Sequence, residues 1–229
     1  MERELLDLAR RLRGRLELGA PAAWRIPSAE TTGARLAMIA RELRECRRCP
    51  SGGTGGRAVC GTGSLRAQVL FVGERTGFAG DLCGEALPGS PGELFDRILA
   101  SIGLSRGEVF ITGAVRCPPL EASAVAAGPG DDRSPSPEEL SACRPHLEAE
   151  IRALSPRCIV ALGEAAARTL IGGAEPVGRL RGSWREYRDG TFSARLLATY
   201  HPAELLLRTE LKKEAWQDMK ALRAELDRG

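Results

Sequence analysis

The stretch AQVLFVG at residues 67–73 is short, almost wholly apolar and ends in glycine. Such a run is typical of a parallel strand that is buried on both faces of a sheet. Two further runs share this character, EVFITGAV at 108–115 and CIVALG at 158–163. The segment SWREYRDGTFSARLLATY at 183–200 predicts a hairpin about its Asp-Gly pair, and this hairpin leads into a last strand.

Helical patterns alternate with these strands. The segment 136–154 begins with Ser136 as N-cap, Pro137 at the first position and Glu139 three residues after the cap, which is a capping-box pattern. Apolar periodicity predicts further helices at 2–18, 32–45, 91–103, 164–172 and 209–227. Strands that alternate with helices predict an α/β fold of three layers, α/β/α, around a central, mostly parallel four-stranded sheet.

Ligands of such sheets bind beyond the carboxyl ends of the strands. The predicted strands end in GERTG (73–77), TGAVRCPP (112–119), ALGE (161–164) and TYHPAE (199–204). We therefore expect the functional residues within these four segments. The glycine-rich segment at 46–64 predicts no regular structure.

The composition indicates a folded chain of one domain with a small appendage. Of the 229 residues, 43% are hydrophobic, which is enough to form a buried core. The net charge of +3 neither requires nor excludes a nucleic-acid partner. The charged N-terminus lacks the apolar segment of a signal peptide, and no apolar run reaches the roughly 18 residues of a membrane span. We expect a cytoplasmic protein without a membrane partner, in which residues 1–30 form a helix and linker before a main domain at 31–229.

The cysteines are candidate metal ligands. Seven of them in a chain expected in the cytosol argue against a disulfide scaffold. Cys46 and Cys49 form a C-x2-C pair, which presents two thiolates across a tight turn. Cys117 follows the second strand and Cys143 lies in the next helix, so a βα unit can bring them together. Four thiolates suit an iron–sulfur cluster or zinc, and soft ligands alone do not separate these; alternatively, Cys117 and Cys143 are buried fillers.

An ordered set of motifs extends over about residues 36–226. It reads C-x2-CP, GE-x-x-G-x-x-x-D-x-x-G, V-R-C-P-P, P-x-P-E-E-L-x-A-C-R-P, VALG, GRLRGSW and TYHPAELL. In this order the chain resembles the iron–sulfur uracil-DNA glycosylases, usually called families 4 and 5 of the uracil-DNA glycosylase superfamily. The resemblance implies a DNA-repair enzyme that hydrolyses the N-glycosidic bond of a deaminated base in single- or double-stranded DNA and binds a [4Fe-4S] cluster.

The resemblance also implies roles for individual residues. Glu74 falls on the glutamate that is held to position or activate water, and His201 falls on the histidine that faces the uracil carbonyl. The four ligands of the cluster would be Cys46, Cys49, Cys117 and Cys143.

The pocket would be formed by the loops 73–92 and 113–119. Its implied substrate contacts are Gly73, Arg75, Thr76, Gly77, Phe78, Asp81, Leu87, Gly113 and Pro202. The implied contacts to the DNA backbone are Arg179, Arg181 and Arg208.

Reaction chemistry supports the pairing of Glu74 with His201 independently. Cleavage of an N-glycosidic bond passes through an oxocarbenium-like state, which needs a carboxylate to direct water and a hydrogen-bond donor for the departing base. A glutamate after one strand and a histidine after another can supply both from one crevice. The structural alternatives are a helix cap or surface charge for Glu74 and a turn residue for His201.

Three positions depart from the family pattern. Leu87 stands where the family has a phenylalanine that stacks on uracil, Gly113 replaces an asparagine that reads the base, and Thr76 replaces a proline. Leucine lacks a π-face, although Phe78 could compensate, and glycine offers no side-chain hydrogen bond. Three interpretations follow: an enlarged pocket for hypoxanthine or xanthine, weak uracil activity, or a catalytically weak or inactive paralogue that only binds nucleic acid. A zinc protein of α/β fold without a DNA function is a further hypothesis. Under each of these hypotheses we expect the protein to be a monomer.

Overall fold

A computed structural model of the protein describes residues 27–49, 58–75, 87, 89–117 and 134–228. Within them the helices are α1 (Ala29–Arg44), α2 (Gly89–Ser101), α3 (Pro137–Leu154), α4 (Glu164–Ile171), α5 (Val177–Leu180), α6 (Pro202–Leu207) and α7 (Lys212–Leu226). The strands are β1 (Thr62–Gly63), β2 (Val69–Arg75), β3 (Phe110–Val115), β4 (Cys158–Leu162), β5 (Arg185–Asp189) and β6 (Phe192–Thr199). The helix predicted at 2–18 lies outside the described residues.

The described strands form one mixed sheet in the order β1-β3-β2-β4-β6-β5. Its four central strands, β3, β2, β4 and β6, are mutually parallel, which confirms the predicted α/β class. The prediction of four strands was too low, because a short antiparallel strand is added at each edge. At one edge β5 pairs with β6 through the predicted hairpin, and at the other edge β1 pairs with β3.

Strand β1 corrects the prediction that the glycine-rich segment has no regular structure. Two glycines, one before β1 and one in it, allow the backbone to approach β3 closely: a Cβ atom on Gly61 would lie 2.7 Å from the Ile111 carbonyl oxygen, and Gly63 has φ +132°. The amide of Ser64 then donates to the Val109 carbonyl oxygen at 2.9 Å. Glycine therefore permits pairing here that a larger residue would block.

Two apolar layers flank the sheet, because alternate residues of β2 point to opposite faces. Leu70 and Val72 pack with the core that includes α3 and α4, whereas Val69 and Phe71 pack with the core of α2 and α7. The ring of Phe71 meets that of Phe95 edge to face, with centroids 5.0 Å apart. This arrangement is the predicted three-layer α/β/α architecture.

The helix ends follow the local sequence signals. The capping box of α3 is present, with Ser136 Oγ accepting from the Glu139 amide and Glu139 Oε2 accepting from the Ser136 amide. Helix α1 begins at Ala29, after an N-cap at Ser28, three residues earlier than predicted. The short helices α5 and α6 were not predicted, and a 3-10 turn at Thr209–Leu211 precedes α7.

No helix among the described residues combines the length and the apolar character that a membrane span requires.

Candidate active site

Three neighbouring strands direct their carboxyl ends to one point of the sheet edge. Glu74 lies near the end of β2, Gly163 follows β4, and His201 lies two residues beyond β6. Gly163 separates the two predicted catalytic side chains: a Cβ atom built on it would lie 3.7 Å from Glu74 Oε1 and 3.1 Å from His201 Cβ. A larger residue here would have to displace His201 slightly, and φ of +87° also favours glycine. Glu74 and His201 therefore converge, as the sequence predicts from the strand order.

The carboxylate of Glu74 is held at the start of a helix. Its Oε1 accepts a long hydrogen bond, 3.4 Å, from the amide of Ala165 in the first turn of α4. The N-terminus of a helix carries partial positive charge, so it attracts a carboxylate group. Because Glu74 is only half-buried, solvent reaches this part of the crevice.

His201 is oriented by the helix that it begins. It is the N-cap of α6, and its Nδ1 accepts a hydrogen bond from the Ala203 amide at 3.2 Å. Nδ1 therefore carries no proton, and the neutral ring has its N–H at Nε2. A Cβ atom built on Gly73 would lie 3.7 Å from that Nε2, so the donor points to the end of β2. Burial lowers the pKa of His201 to about 4.

The tautomer of His201 can be observed directly, since the chain has only two histidines. We expect long-range ¹⁵N–¹H correlation spectra to show a neutral ring protonated at Nε2 from pH 8 to about pH 5, with its pKa near 4. The pKa of His201 is lower in the folded protein than its ordinary value of 6.5. The neutral ring therefore contributes its full stability above pH 6.5, and this contribution is lost as the pH falls through about 4. Titration near 6.5, or a proton at Nδ1, would contradict the geometry.

The floor between β2 and β3 is made of backbone. Gly73 and Gly113 are opposite one another in the parallel register and both are buried. Pro202 is buried in the first turn of α6, next to His201. The predicted contacts Thr76, Gly77, Phe78 and Asp81 lie outside the described residues.

Leu87 is placed differently from the prediction that its side chain contacts the base. It is 8% exposed and packs in the apolar core with Phe71 and Phe95. Its backbone has φ +59°, a conformation that leucine rarely adopts, and its carbonyl oxygen accepts from Arg106 Nη2 at 3.1 Å. This burial does not favour direct stacking of Leu87 on a base.

The prediction that Arg75 contacts substrate is not supported by its position. Its side chain is 1% exposed; Nη1 donates to the Cys117 carbonyl oxygen at 3.0 Å, and Nη2 pairs with Glu139 at 3.2 Å. These bonds connect the end of β2 to the start of α3 and to the segment after β3. The guanidinium is thus engaged inside the protein, where it holds the backbone at Cys117.

The four predicted ligand cysteines come from three segments that the fold brings together. Helix α1 packs on α3 through Ile39, Leu43 and Ala153, which carries the Cys46–Cys49 loop toward Cys143. Cys49, Cys117 and Cys143 are buried, and Cys46 is half-buried.

The pKa of Cys143 reports on its neighbours. Burial raises it most, a hydrogen bond from the Arg116 backbone lowers it, and the nearby Cys49 and Cys46 raise it further. Cys143 therefore lies beside the residue that precedes Cys117 and within electrostatic range of the C-x2-C pair.

These thiols do not converge on a single point. Among the described residues, no group of three or more His, Cys, Asp or Glu side chains is close enough to hold one metal ion. Each thiolate of a four-iron cluster binds a different iron, so the ligands surround a volume instead of meeting at one ion. Cys46, Cys49, Cys117 and Cys143 are the residues that could hold such a cluster.

The arginines predicted to bind DNA differ in their surroundings. Arg179 is exposed, and Arg208 is exposed with weak pairs to Glu204 and Glu210 at 3.1 and 3.4 Å. Arg181 is 13% exposed and binds Asp218 through Nε and Nη2 at 3.0 and 2.8 Å. This engagement does not favour a phosphate contact by Arg181.

Sequence reasoning missed the polar network that surrounds Arg181. Asp218 also accepts from Thr199 Oγ1 at 2.7 Å, and Tyr200 donates to Glu214 at 2.8 Å. Thr199 and Tyr200 directly precede His201, so this network fixes the end of β6. It joins residues 14 to 37 positions apart, and no local sequence pattern predicts such bonds.

Leu207 is a second residue that the sequence did not single out. It ends α6, six residues after His201, and 86% of it is exposed, the largest value among the exposed apolar side chains of the described residues. The only available signal was the run of three leucines before Arg208.

Comparisons with known proteins point to one family. A family model described as "Uracil DNA glycosylase superfamily" matches residues 60–220. The chain is 34% identical over 188 residues to a type-4 uracil-DNA glycosylase of Archaeoglobus fulgidus, which covers 80% of this chain and 89% of the relative. It is 34% identical to a type-4 uracil-DNA glycosylase of Pyrobaculum aerophilum, covering 77% and 87%, and 31% identical to a type-5 uracil-DNA glycosylase of the same organism, covering 76% and 78%. On the breadth of these matches, the chain belongs to the uracil DNA glycosylase superfamily.

Proposed function

We propose that this protein is a DNA-repair enzyme, a glycosylase that hydrolyses the bond between uracil and deoxyribose in DNA. The observation that carries the proposal is the convergence of Glu74 and His201 on either side of Gly163. A carboxylate and a neutral N–H donor at one sheet edge are the two groups that this reaction needs.

Glu74 acts on the sugar side of the bond. As the C1′–N1 bond breaks, its electron pair leaves with the base, and the sugar develops oxocarbenium character. The ionised carboxylate stabilises that positive charge and directs a water molecule to C1′. The water oxygen forms the new bond to C1′, one of its protons passes to the Glu74 carboxylate, and that proton then leaves to solvent or to the released base.

His201 acts on the base side. The departing uracil is an anion whose charge lies largely on its carbonyl oxygens, and a neutral Nε2–H donates a hydrogen bond to one of them. The pKa of about 4 keeps the ring neutral at physiological pH, so the donor is present without a proton transfer. The Nδ1 bond to the Ala203 amide fixes the direction of that donor.

The backbone floor at Gly73 and Gly113 bears on the choice of base. Without a side chain at Gly113, discrimination against cytosine depends on backbone groups, which supports a broader or less efficient base selection than a bidentate amide would give. Uracil is the proposed substrate, and hypoxanthine and xanthine are the alternatives to test beside it.

A [4Fe-4S] cluster is the cofactor that the cysteines support, held by Cys46, Cys49, Cys117 and Cys143. When bound, the cluster would supply no redox step in this hydrolysis; through the four cysteines it would cross-link the segment after α1 to α3 and to the segment after β3. Arg75 and the Arg116 backbone hold two of the ligand segments from inside the protein. Iron analysis and the visible absorbance of an iron–sulfur cluster separate it from zinc, whose thiolate sites are colourless.

DNA is the proposed partner, bound by a monomer in the cytoplasm. Residues 31–229 form the glycosylase domain, and residues 1–30 are an appended segment. Arg179 and Arg208, both exposed, are the proposed phosphate contacts.

Leu207 is proposed to enter the base stack when the target nucleotide leaves it. Apolar side chains that insert between base steps compensate for lost stacking, and duplex DNA needs this more than a single strand. We expect Leu207→Ala to reduce uracil excision from duplex DNA by about tenfold, equivalent to about 1.4 kcal/mol, and to change excision from single strands much less.

The matched control for Leu207 is Met38→Ala, since Met38 is 66% exposed on α1, in another part of the fold. Equal losses from duplex and single-stranded DNA, or an equal loss in the Met38 variant, would contradict the role of Leu207.

The proposed activity is tested with labelled single- and double-stranded oligonucleotides that contain uracil, hypoxanthine, xanthine or no lesion. Alkali cleaves the strand wherever a base has been removed. Cleavage at uracil supports the proposal, cleavage only at a purine lesion changes the base, and binding without cleavage of any strand contradicts the enzyme.

A further inference from the structure

His146 is a buried imidazole that the proposed hydrolysis does not use. It lies on α3 three residues after Cys143, and residues at this spacing share a helix face. It is 5% exposed, and its Nε2 has no hydrogen-bond partner in the described part of the chain. Buried polar atoms are almost always hydrogen-bonded, so this atom indicates a missing neighbour.

The surroundings of His146 connect it to the cysteine segments. Burial lowers its pKa most, and two arginines lower it further: Arg48, which lies between Cys46 and Cys49, and Arg116, which precedes Cys117. Glu42 and Glu150 act in the opposite direction. His146 is thus within electrostatic range of residues in the two other segments that carry the proposed cluster ligands.

The sulfur atoms of a cluster can supply the missing neighbour. Inorganic sulfides and ligand thiolates accept hydrogen bonds, and such bonds are among the features by which proteins set cluster potentials. A sulfur-rich neighbour offers no donor, so the imidazole would be the donor in this contact. A phenylalanine-sized apolar residue would fill the same space without this bond.

We propose that His146 donates its Nε2–H to a sulfur atom of the [4Fe-4S] cluster and thereby raises the reduction potential of the cluster. This inference rests on the cluster proposed above and not on the glycosylase reaction. His146 is a positioning residue of the cofactor, without contact to DNA.

The test compares the reduction potential of purified holoprotein with that of the His146→Phe variant, by titration with dithionite under anaerobic conditions. The reduced cluster carries one more negative charge, so loss of a donor is expected to shift the potential to a more negative value. His146→Gln retains an N–H donor and is expected to restore most of the shift. The control is Leu147→Met, a volume-conserving change at the buried neighbour on the same helix.

A second measurement does not depend on the folding of a variant. Pulsed EPR of the reduced wild-type holoprotein with ¹⁵N-labelled histidine is expected to show one imidazole nitrogen coupled to the cluster spin. No coupling, or an unchanged potential in His146→Phe at full iron content, would overturn the hydrogen bond. A purified protein without iron would overturn both the cluster and this bond, and the uracil assay on the same sample reports the proposed activity separately.

Discussion

Replacing Glu74 by Gln is expected to lower the rate of uracil excision by about 10²–10⁴-fold, the usual contribution of one group in acid–base catalysis. The amide retains the shape of the side chain and can still receive the Ala165 amide hydrogen bond through its oxygen. It has no negative charge, so it neither stabilises the positive sugar nor draws a proton from water. Affinity for uracil-containing DNA should remain within about threefold, since the contacts to phosphate are unchanged.

The control for this variant is Glu93→Gln, which makes the same chemical change at an exposed position of α2. Single-turnover excision and fluorescence anisotropy, measured on one oligonucleotide, separate the chemical step from binding. A parallel loss of binding and excision in Glu74→Gln would assign this residue to binding or to folding.

Replacing Arg116 by Met is expected to destabilise the protein by about 3–5 kcal/mol, the cost of leaving one charge of a buried pair uncompensated. The side chains of Arg116 and Glu150 are both 0% exposed, and Nη2 lies 2.8 Å from Oε2. Arg116 also donates to Thr112 Oγ1, and Glu150 Oε1 accepts from the Gly61 amide at 3.0 Å. The pair therefore connects β3, α3 and the segment before β1.

Local and global measurements can distinguish this effect from general damage. The Gly61 amide should exchange with solvent much faster in Arg116→Met, together with a lower midpoint of thermal unfolding. The control is Arg144→Met, which breaks the ion pair between Arg144 and Glu148 on the surface of α3. This change should lower the free energy of unfolding by at most about 1 kcal/mol. A double variant, Arg116→Met with Glu150→Leu, should recover part of the loss. Equal stability of the Arg116 and Arg144 variants would mean that the buried pair contributes nothing specific.

The fold was largely predictable because its decisive signals are local. Val69 to Val72 are buried on both faces, so an unbroken apolar run was enough to identify β2 as a central parallel strand. Ser136 and Glu139 form the capping box that their spacing predicts. Strand β1 escaped prediction because its two residues pair only through the backbone, and glycine-rich sequence gives no apolar pattern to detect.

The candidate site was predictable only in part. Parallel topology alone brings residues after β2 and β6 to one edge, which is why Glu74 and His201 could be expected together. The internal engagement of Arg75 and Arg181 could not be foreseen, since their partners Glu139 and Asp218 lie 64 and 37 residues away. The same sequence motif is compatible with an arginine that binds phosphate and with an arginine that binds a buried carboxylate, so the motif does not distinguish the two.

The release of free uracil from a uracil-containing duplex, detected by mass spectrometry beside the abasic strand, distinguishes a glycosylase from a protein that only binds DNA. With iron-loaded wild-type protein, we expect free uracil and abasic strand in equal amounts, and neither product above background with the Glu74→Gln variant over the same interval. Intact strand and no free uracil, with salt-sensitive DNA binding retained, would contradict a glycosylase and leave a protein that binds DNA without cleaving the bond.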